Sequence, residues 1–253
     1  MRHRHGPRTT EDSGLIQPLW LPGLALWIDF ADASTITTGV GGISQADDKS
    51  GNGYHLAQGT SGNRPDYSGT LNGRNIATFA GGPDLLTRST GTAVGKNASG
   101  CTSYVVFKHT SSPTTDQRLL SVQGPSSSLR HYLRAGATSN KLEIIARRLD
   151  ADANAIIVGS TNVGTGWHIA TAVADNVAGT LGLWMDGASE GSTTLASSGG
   201  NSSNTDTAVV QLSSANASLD LVGNVAECIV YNAAHDSATR SQVWAYLRNK
   251  WGM

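Results

Sequence analysis

The sequence is short of cysteine, of charge and of long apolar runs, and each shortage excludes a class of protein. Its 253 residues contain two cysteines, Cys101 and Cys228. They lack the spacing of a zinc site. Each lies at or in a strand among apolar neighbours, so both read as buried free thiols acting as small hydrophobes, in preference to a disulfide. Charged residues make up only 15% of the chain and the formal net charge is −1. No global field therefore draws it to nucleic acid or to an anionic membrane. The longest apolar stretch, Leu19–Ile28, is interrupted by Pro22 and Gly23 and is too short to span a bilayer, so no membrane insertion is expected. The N-terminus carries arginines but no hydrophobic signal core before a small-residue cleavage site. A chain without a secretion signal reaches an extracellular setting by lysis or as part of a particle.

Catalytic signatures are missing too. There is no His-Glu-x-x-His and no phosphate loop. Glycoside hydrolysis needs two carboxylates about 5–10 Å apart across the scissile bond. On a strand that means acids at i, i+2 or i+4, which share a face. Glu227 and Glu143 each stand alone in their strands. Glu227 reads as a hydrogen-bonded structural acid, and no enzyme is expected.

What the chain has in abundance is glycine, serine and threonine, the dress of a turn-rich β protein. Met1–Gly14 is polar and opens with a basic cluster that includes His3 and His5. It reads as a tail. Leu15–Pro22 is apolar and carries two prolines, so it is neither helix interior nor central strand. Residues 1–22 are read as an arm, with Leu15, Ile16, Leu19 and above all Trp20 as anchors. The arm docks either on the chain's own body or on a neighbouring subunit.

Residues 23–253 read as one domain, with no linker and no internal repeat. Leu24–Phe30 is the first strand, and Ala31–Gly53 is loop. Short strands follow near Tyr54–Ala57, Asn75–Phe79 and Asp84–Thr87, separated by turn residues. Thr102–His109 and Gln117–Gln123 are expected to pair, as are Arg130–Ala135 and Lys141–Arg147. Asn154–Gly159 is a further strand. Trp167–Ala174 and Thr180–Asp186 form the clearest hairpin, with Asp186-Gly187 turning at its far end. Leu181, Leu183 and Met185 share one face and Trp184 the other, so if the leucines enter the core Trp184 lies on the outer sheet face. Thr207–Leu212 and Leu219–Val222 lead to the close. Roughly a dozen short, regularly spaced strands signal a sandwich.

Gly223–Met253 closes the chain. Asn224–Tyr231 is apolar on both faces apart from Asn224 and Glu227, the pattern of a doubly buried strand. A turn follows, then a helix that Asp236 or Ser237 can cap. Val243, Trp244, Leu247 and Trp251 make one apolar stripe on it. Arg248 and Lys250 complement its carbonyl end, and Gly252 can terminate it. This strand–turn–helix close resembles that of the phage and bacterial branch of the LamG-like, concanavalin A-like jelly-roll family. Gly223, Ala226, Glu227, Ile229, Val230, Tyr231, Asn232, Tyr246, Leu247, Lys250, Trp251 and Gly252 occupy its pattern. His235 and Asp236 depart from it, which touches only the turn. Ala25–Ser34, Asp48–Tyr54, Leu71–Gly82 and Trp167–Gly187 are similar to its earlier motifs, in order.

The resemblance implies an all-β fold: a two-sheet antiparallel jelly-roll sandwich with one short C-terminal helix and an extended N-terminal arm. It implies sugar binding or sugar hydrolysis, and the missing acid strand leaves binding. Tyr104, Arg130, Tyr132, Arg147 and Trp184 are the candidate glycan contacts, aromatic faces and polar groups suited to sugar C–H surfaces and hydroxyls. Calcium is the ion the resemblance brings, with Asp47, Asp48 and Asn52 as oxygen donors in one glycine-containing loop. Asp47 and Asp48 can equally cap turns. The expected protein is a bacteriophage virion part, tail or capsid associated, assembled in the host cytoplasm and present in many copies. Its arm would hold other virion proteins, and its sandwich would bind host-surface glycans. A decoration or joining protein without sugar binding is the alternative, and a glycan hydrolase the disfavoured one.

Overall fold

The computed structural model describes residues 16–89, 91–136, 140–213 and 219–253. In chain order the strands are β1 (Leu24–Asp29), β2 (Ile36–Gly39), β3 (Gly42–Ala46), β4 (Leu56–Ala57), β5 (Thr70–Leu71), β6 (Arg74–Asn75), β7 (Ala77–Ala80), β8 (Leu85–Arg88) and β9 (Gly100–His109). They continue as β10 (Gln117–Gln123), β11 (Leu129–Ala135), β12 (Lys141–Ala146), β13 (Ala155–Asn162), β14 (Trp167–Asp175), β15 (Thr180–Met185), β16 (Ala188–Thr194), β17 (Val209–Ser213) and β18 (Val222–Tyr231). One helix, α1 (Ser237–Trp251), ends the chain.

Two antiparallel sheets face each other. The first runs β1-β18-β9-β14-β15-β16, with β7 pairing the start of β18 beside β1. The second runs β13-β12-β11-β10-β17-β8-β4-β3-β2. Strand alternation fills the space between them. Leu181, Leu183 and Met185 of β15 enter this core, with Val105 and Phe107 of β9 and Leu133 and Ala135 of β11. Cys101 and Cys228 are buried and unpaired, and burial pushes the Cys101 thiol up to about 12.

Two pairings differ from the sequence expectation. Strands β9 and β10 do not pair: β9 lies between β18 and β14, while β10 lies between β11 and β17 in the opposite sheet. The segment between them crosses from sheet to sheet, which local patterning cannot distinguish from a hairpin. Part of the stretch expected to be loop forms a hairpin, β2–β3. The β14–β15 hairpin is as expected, from Ala170 opposite Met185 to Asp175 opposite Thr180. Asp186 and Gly187, at φ 53° and 84°, make the two-residue turn into β16. Positive φ at both positions is the type I′ geometry that matches strand twist.

The helix lies on the outer face of the first sheet instead of closing the end of a strand. Val243, Tyr246, Leu247 and Trp251 pack there on Tyr104, Val106, Ile169, Ile229 and Tyr231, a second core outside the sandwich. A bulge between Val225 and Glu227 in β18 sets this up. It turns both Ala226 and Glu227 toward the helix side. Asp236 caps the first turn, its Oδ1 accepting from Thr239 N at 2.8 Å. At the other end Arg74 Nε donates to the Lys250 carbonyl at 2.9 Å, and Asn72 Nδ2 donates to that of Trp251.

Glu227 is fully buried at this junction. Its Oε1 accepts from Trp27 Nε1 (2.7 Å) and Tyr246 Oη (2.9 Å). Its Oε2 accepts from Lys250 Nζ (2.7 Å) and Trp251 Nε1 (2.8 Å). Lys250 also reaches Asp29 at 2.6 Å, and Asp29 reaches Lys49 at 2.9 Å. Burial pushes the Glu227 carboxyl up, against the pull of the Lys250 ammonium. The isolated acid of the closing strand thus ties strand, helix and first strand together.

Of the arm, Leu15 lies outside the described residues. Pro18–Trp20 forms a 3-10 turn against the sandwich, where Tyr231 Oη donates to the Pro18 carbonyl at 3.1 Å. Ile16 and Leu21 pack on the second core. The expected anchors Leu19 and Trp20 instead point outward, 56% and 62% exposed. Among the described residues no helix is long and apolar enough to cross a membrane.

Candidate functional site

The outer face of the first sheet is only partly covered by α1. Strands β14 and β15 extend past the helix edge, and a groove runs between them and α1. Three adjoining cavities make it up. The middle one, about 280 Å³, is lined by Thr171, Trp184, Gly187, Arg240, Ser241 and Trp244, among others. One of about 480 Å³ continues toward the helix C-terminus and shares Trp244, adding Trp167, Asp186 and Arg248. The third, about 290 Å³, lies toward the helix N-terminus and shares Trp184 and Arg240. Two of them lie just below the usual size of ligand sites and the third within it, and together they reach its upper end.

Local rules place each group. Trp167 and Trp184 project outward because the leucines and alanines that alternate with them fill the core. Trp184 lies against Gly182, where an added Cβ would fall 2.3 Å from the indole. Gly187 allows the same closeness to Trp244, whose ring an added Cβ would meet at 2.9 Å. Trp244 is one residue off the buried stripe of α1, so its indole hangs over the groove wall. The sequence stripe Val243, Trp244, Leu247 and Trp251 is corrected in this one member: Tyr246 takes the buried place, and Trp244 is half-buried.

Charge is arranged along the groove. The Arg240 guanidinium stacks over Trp184 at 4.0 Å from the ring centroid, and Arg248 over Trp244 at 4.5 Å. Such stacks contribute about 0.5–1 kcal/mol at exposed sites. Arg240 Nη1 donates to the His235 carbonyl and Arg248 Nε to the Met253 oxygen, both at 2.9 Å. His168 Nδ1 lies 2.6 Å from Asp186 Oδ2, and Asp186 Oδ1 accepts from Ile169 N at 2.8 Å. The Asp186 carboxylate raises the His168 imidazole above its usual value. Trp244 Nε1 is buried and has no hydrogen-bond partner. Such an unmet donor costs about 1–3 kcal/mol.

The five candidate glycan contacts do not converge. Trp184 lines the groove. Tyr104 lies beneath α1 on the same sheet, 1% exposed, with Oη 2.9 Å from His235 Nδ1. Its face of β9 was expected to be open, but the helix covers it. Arg130, Tyr132 and Arg147 belong to the second sheet and its rim. Arg130 is 3% exposed and grips Asp150 with Nε and Nη2 at 2.8 and 2.9 Å. The guanidinium holds the Asp150 carboxyl down at about 2. Tyr132 is 1% exposed, its Oη donating to Asp116 and its ring flanked by Arg118 at 4.8 Å and Arg134 at 5.7 Å. Neither side chain can stack on a sugar. Arg147 is bonded to Asn154 Oδ1 and the Asp150 carbonyl.

The loop read as a calcium candidate uses its polar atoms on itself. Asp48 Oδ1 accepts from Trp27 N (3.0 Å) and Ser50 N (2.9 Å). Its Oδ2 accepts from Ser50 Oγ (2.7 Å) and Tyr54 N (3.0 Å). Asn52 turns its amide N–H groups to the Leu24 and Ala25 carbonyls. Asp47 accepts from Gln45 and lies 3.2 Å from His55 Nδ1. Donor groups saturate the Asp48 oxygens, so this set does not fit the several convergent oxygens that calcium needs. Among the described residues no group of three or more His, Cys, Asp or Glu side chains is placed to hold a metal ion.

Trp167, Trp244 and Arg240 were not among the sequence candidates. Trp167 opens β14 and Trp244 lies in the middle of α1, and only the packing of α1 on β14 and β15 brings them together.

No family model and no curated protein matches the chain significantly. Solved structures do. The receptor-binding domain of botulinum neurotoxin type G aligns at a TM-score of 0.58 with 10% identity, over 89% of this chain and 51% of that one. The binding domain of botulinum neurotoxin DC in complex with sialyl-T aligns at 0.59 with 9% identity, over 89% and 52%. The same domain with rat synaptotagmin II aligns at 0.57 with 10% identity, over 89% and 52%. The chain spans about half the length of the structures it matches. At this identity the likeness establishes the fold, a lectin-like β-sandwich, and nothing about ligands.

Proposed function

We propose that this chain is a carbohydrate-binding module without catalytic activity, and that the groove beside α1 is its site. The observation that carries the reading is the alignment of Trp167, Trp244 and Trp184 along one open groove. Sugars are held by apolar ring faces plus a few polar groups, and this groove supplies both. No cation stacks on Trp167 among the described residues, and its ring is half-buried on the groove wall. The neighbouring structures include binding domains seen with sialyl-T, which agrees with a glycan ligand and does not transfer one. Glu227 supports the non-catalytic reading, since it is sealed under α1 with four donors.

The test is binding to an array of bacterial and host glycans. Reproducible binding to one sugar class, lost at least tenfold in Trp167→Ala and Trp244→Ala, is the expected result. A blank array with folded, multivalent protein would sink the reading.

The wider setting we propose is display on a bacteriophage particle, where many weak sites add avidity. It is supported by the similarity of Ala25–Met253 to the phage branch of LamG-like domains and by the outward Leu19 and Trp20. Those two side chains also favour a second role, contact with a neighbouring virion protein. Leu19→Ser/Trp20→Ser should then be lost from purified particles while staying folded; normal incorporation would count against the arm as anchor.

A further inference from the structure

The indoles of Trp184 and Trp244 are not bare platforms. Each carries an arginine, Arg240 at 4.0 Å and Arg248 at 4.5 Å. On the opposite side Trp184 lies against Gly182 and Trp244 against Gly187. A neutral sugar could stack on these rings only by displacing the guanidiniums. A ligand that keeps them would meet one cationic plane in the middle cavity, Arg240, and a second, Arg248, in the adjoining cavity toward the helix C-terminus.

The charges around the two arginines leave them available. Neither forms a salt bridge with an Asp or Glu side chain among the described residues. Arg240 spends Nη1 on the His235 carbonyl, which fixes its position on Trp184, and keeps Nε and Nη2. Arg248 spends Nε on the Met253 oxygen and keeps both terminal nitrogens. The acids nearby carry hydrogen bonds of their own. Asp186 is bonded to His168 and Ile169 N, Asp175 to Val177 N and Ala178 N, and Asp236 to Thr239 N. The remaining N–H groups of Arg240 and Arg248 are charged donors, and such donors match an anion.

We infer that the groove takes an acidic glycan, whose anionic group sits in the middle cavity against Arg240 while a sugar ring lies on Trp167 in the adjoining cavity, beside Arg248. The anion is a carboxylate or a phosphate carried by the glycan. The inference rests on the proposed carbohydrate-binding function and sharpens it to a ligand class. Arginine suits either anion, since its planar fork bonds two oxygens at once.

The experiment titrates the full chain with matched glycan pairs. One pair is a uronic-acid oligosaccharide and the same oligosaccharide with its carboxyl reduced to the alcohol. The other is a phosphodiester-linked glycan polymer and its dephosphorylated repeat unit. We expect at least tenfold tighter binding to the acidic member of one pair, and which pair responds identifies the anion. Arg240→Gln should abolish that preference, with affinity for the acidic member falling at least tenfold. Arg240→Lys should retain part of it. Because Arg240 also covers Trp184, urea midpoints for both variants establish that each is folded. Equal affinity for acidic and neutral members would overturn the inference and leave the glycan reading standing. Absence of binding to every member would overturn both. Tighter binding to a single-stranded oligonucleotide than to any glycan would also overturn it.

Discussion

Replacing Glu227 by glutamine removes one oxygen's worth of acceptor and one charge from a fully buried site. Four donors converge on the carboxylate, and three of them, Trp27 Nε1, Trp251 Nε1 and Lys250 Nζ, can only donate. Whichever way the glutamine amide is turned, its NH2 group faces at least one tryptophan N–H. In the better orientation it donates to Tyr246 Oη and leaves Trp27 Nε1 unmet. A buried unmet donor costs about 1–3 kcal/mol. Removing one partner of a buried ion pair costs about 3–5 kcal/mol when the other is stranded. Lys250 is not stranded, because Asp29 remains 2.6 Å from it. The balance places Glu227→Gln near the lower end, about 3 kcal/mol. For a chain of this size that is a fall in Tm of about 6–12 °C. Urea unfolding followed by tryptophan fluorescence measures it directly, since two of the six tryptophans touch the mutated side chain. The midpoint should drop with the slope unchanged. A loss below about 1 kcal/mol would refute the view that this carboxylate joins helix to sandwich.

Tyr132→Ala should behave as a core deletion: its ring is 1% exposed, so a loss of about 3–5 kcal/mol is expected by urea unfolding, with glycan affinity of the folded fraction unchanged. Altered sugar specificity in this variant would return Tyr132 to the site. The His168–Asp186 pair predicts a pH dependence with a definite sign. The imidazole is raised above 6.5, so its stabilising charge is fully present below that value and is lost as pH rises through the folded value. Its loss leaves Asp186 uncompensated on the groove wall, facing Arg248, while His109 nearby is held down at about 4 by burial and stays neutral. Binding of an acidic glycan should therefore weaken several-fold between pH 6 and 9, and Asp186→Asn should flatten the profile. A pH-independent affinity in the unmutated protein would contradict this.

Sequence patterning went far for the fold and less far for the site, and particular residues show why. The leucines of β15 announced which face enters the core, so Trp184 was assigned outward correctly. Tyr104 and Tyr132, the other aromatic candidates, also point away from the inter-sheet core. They are nonetheless buried, because a helix lies over one, and Asp116 and two arginines enclose the other. Alternation tells which side of a sheet a residue takes, and it carries no information on what covers that side.

By itself the sequence determined the all-β class, most strand positions, the β14–β15 hairpin, the capped C-terminal helix and the solitary character of Glu227. These follow from periodicities of two and 3.6 and from turn and cap chemistry, all of which act over a few residues. Only the tertiary structure decided that β9 and β10 lie in opposite sheets, that α1 covers the outer face of the first, and that Trp167, Trp184 and Trp244 border one groove. Those outcomes depend on pairings between residues as much as 213 positions apart, such as Pro18 with Tyr231. They are set by which apolar faces find each other when the chain collapses, a choice made by total burial and not by local pattern.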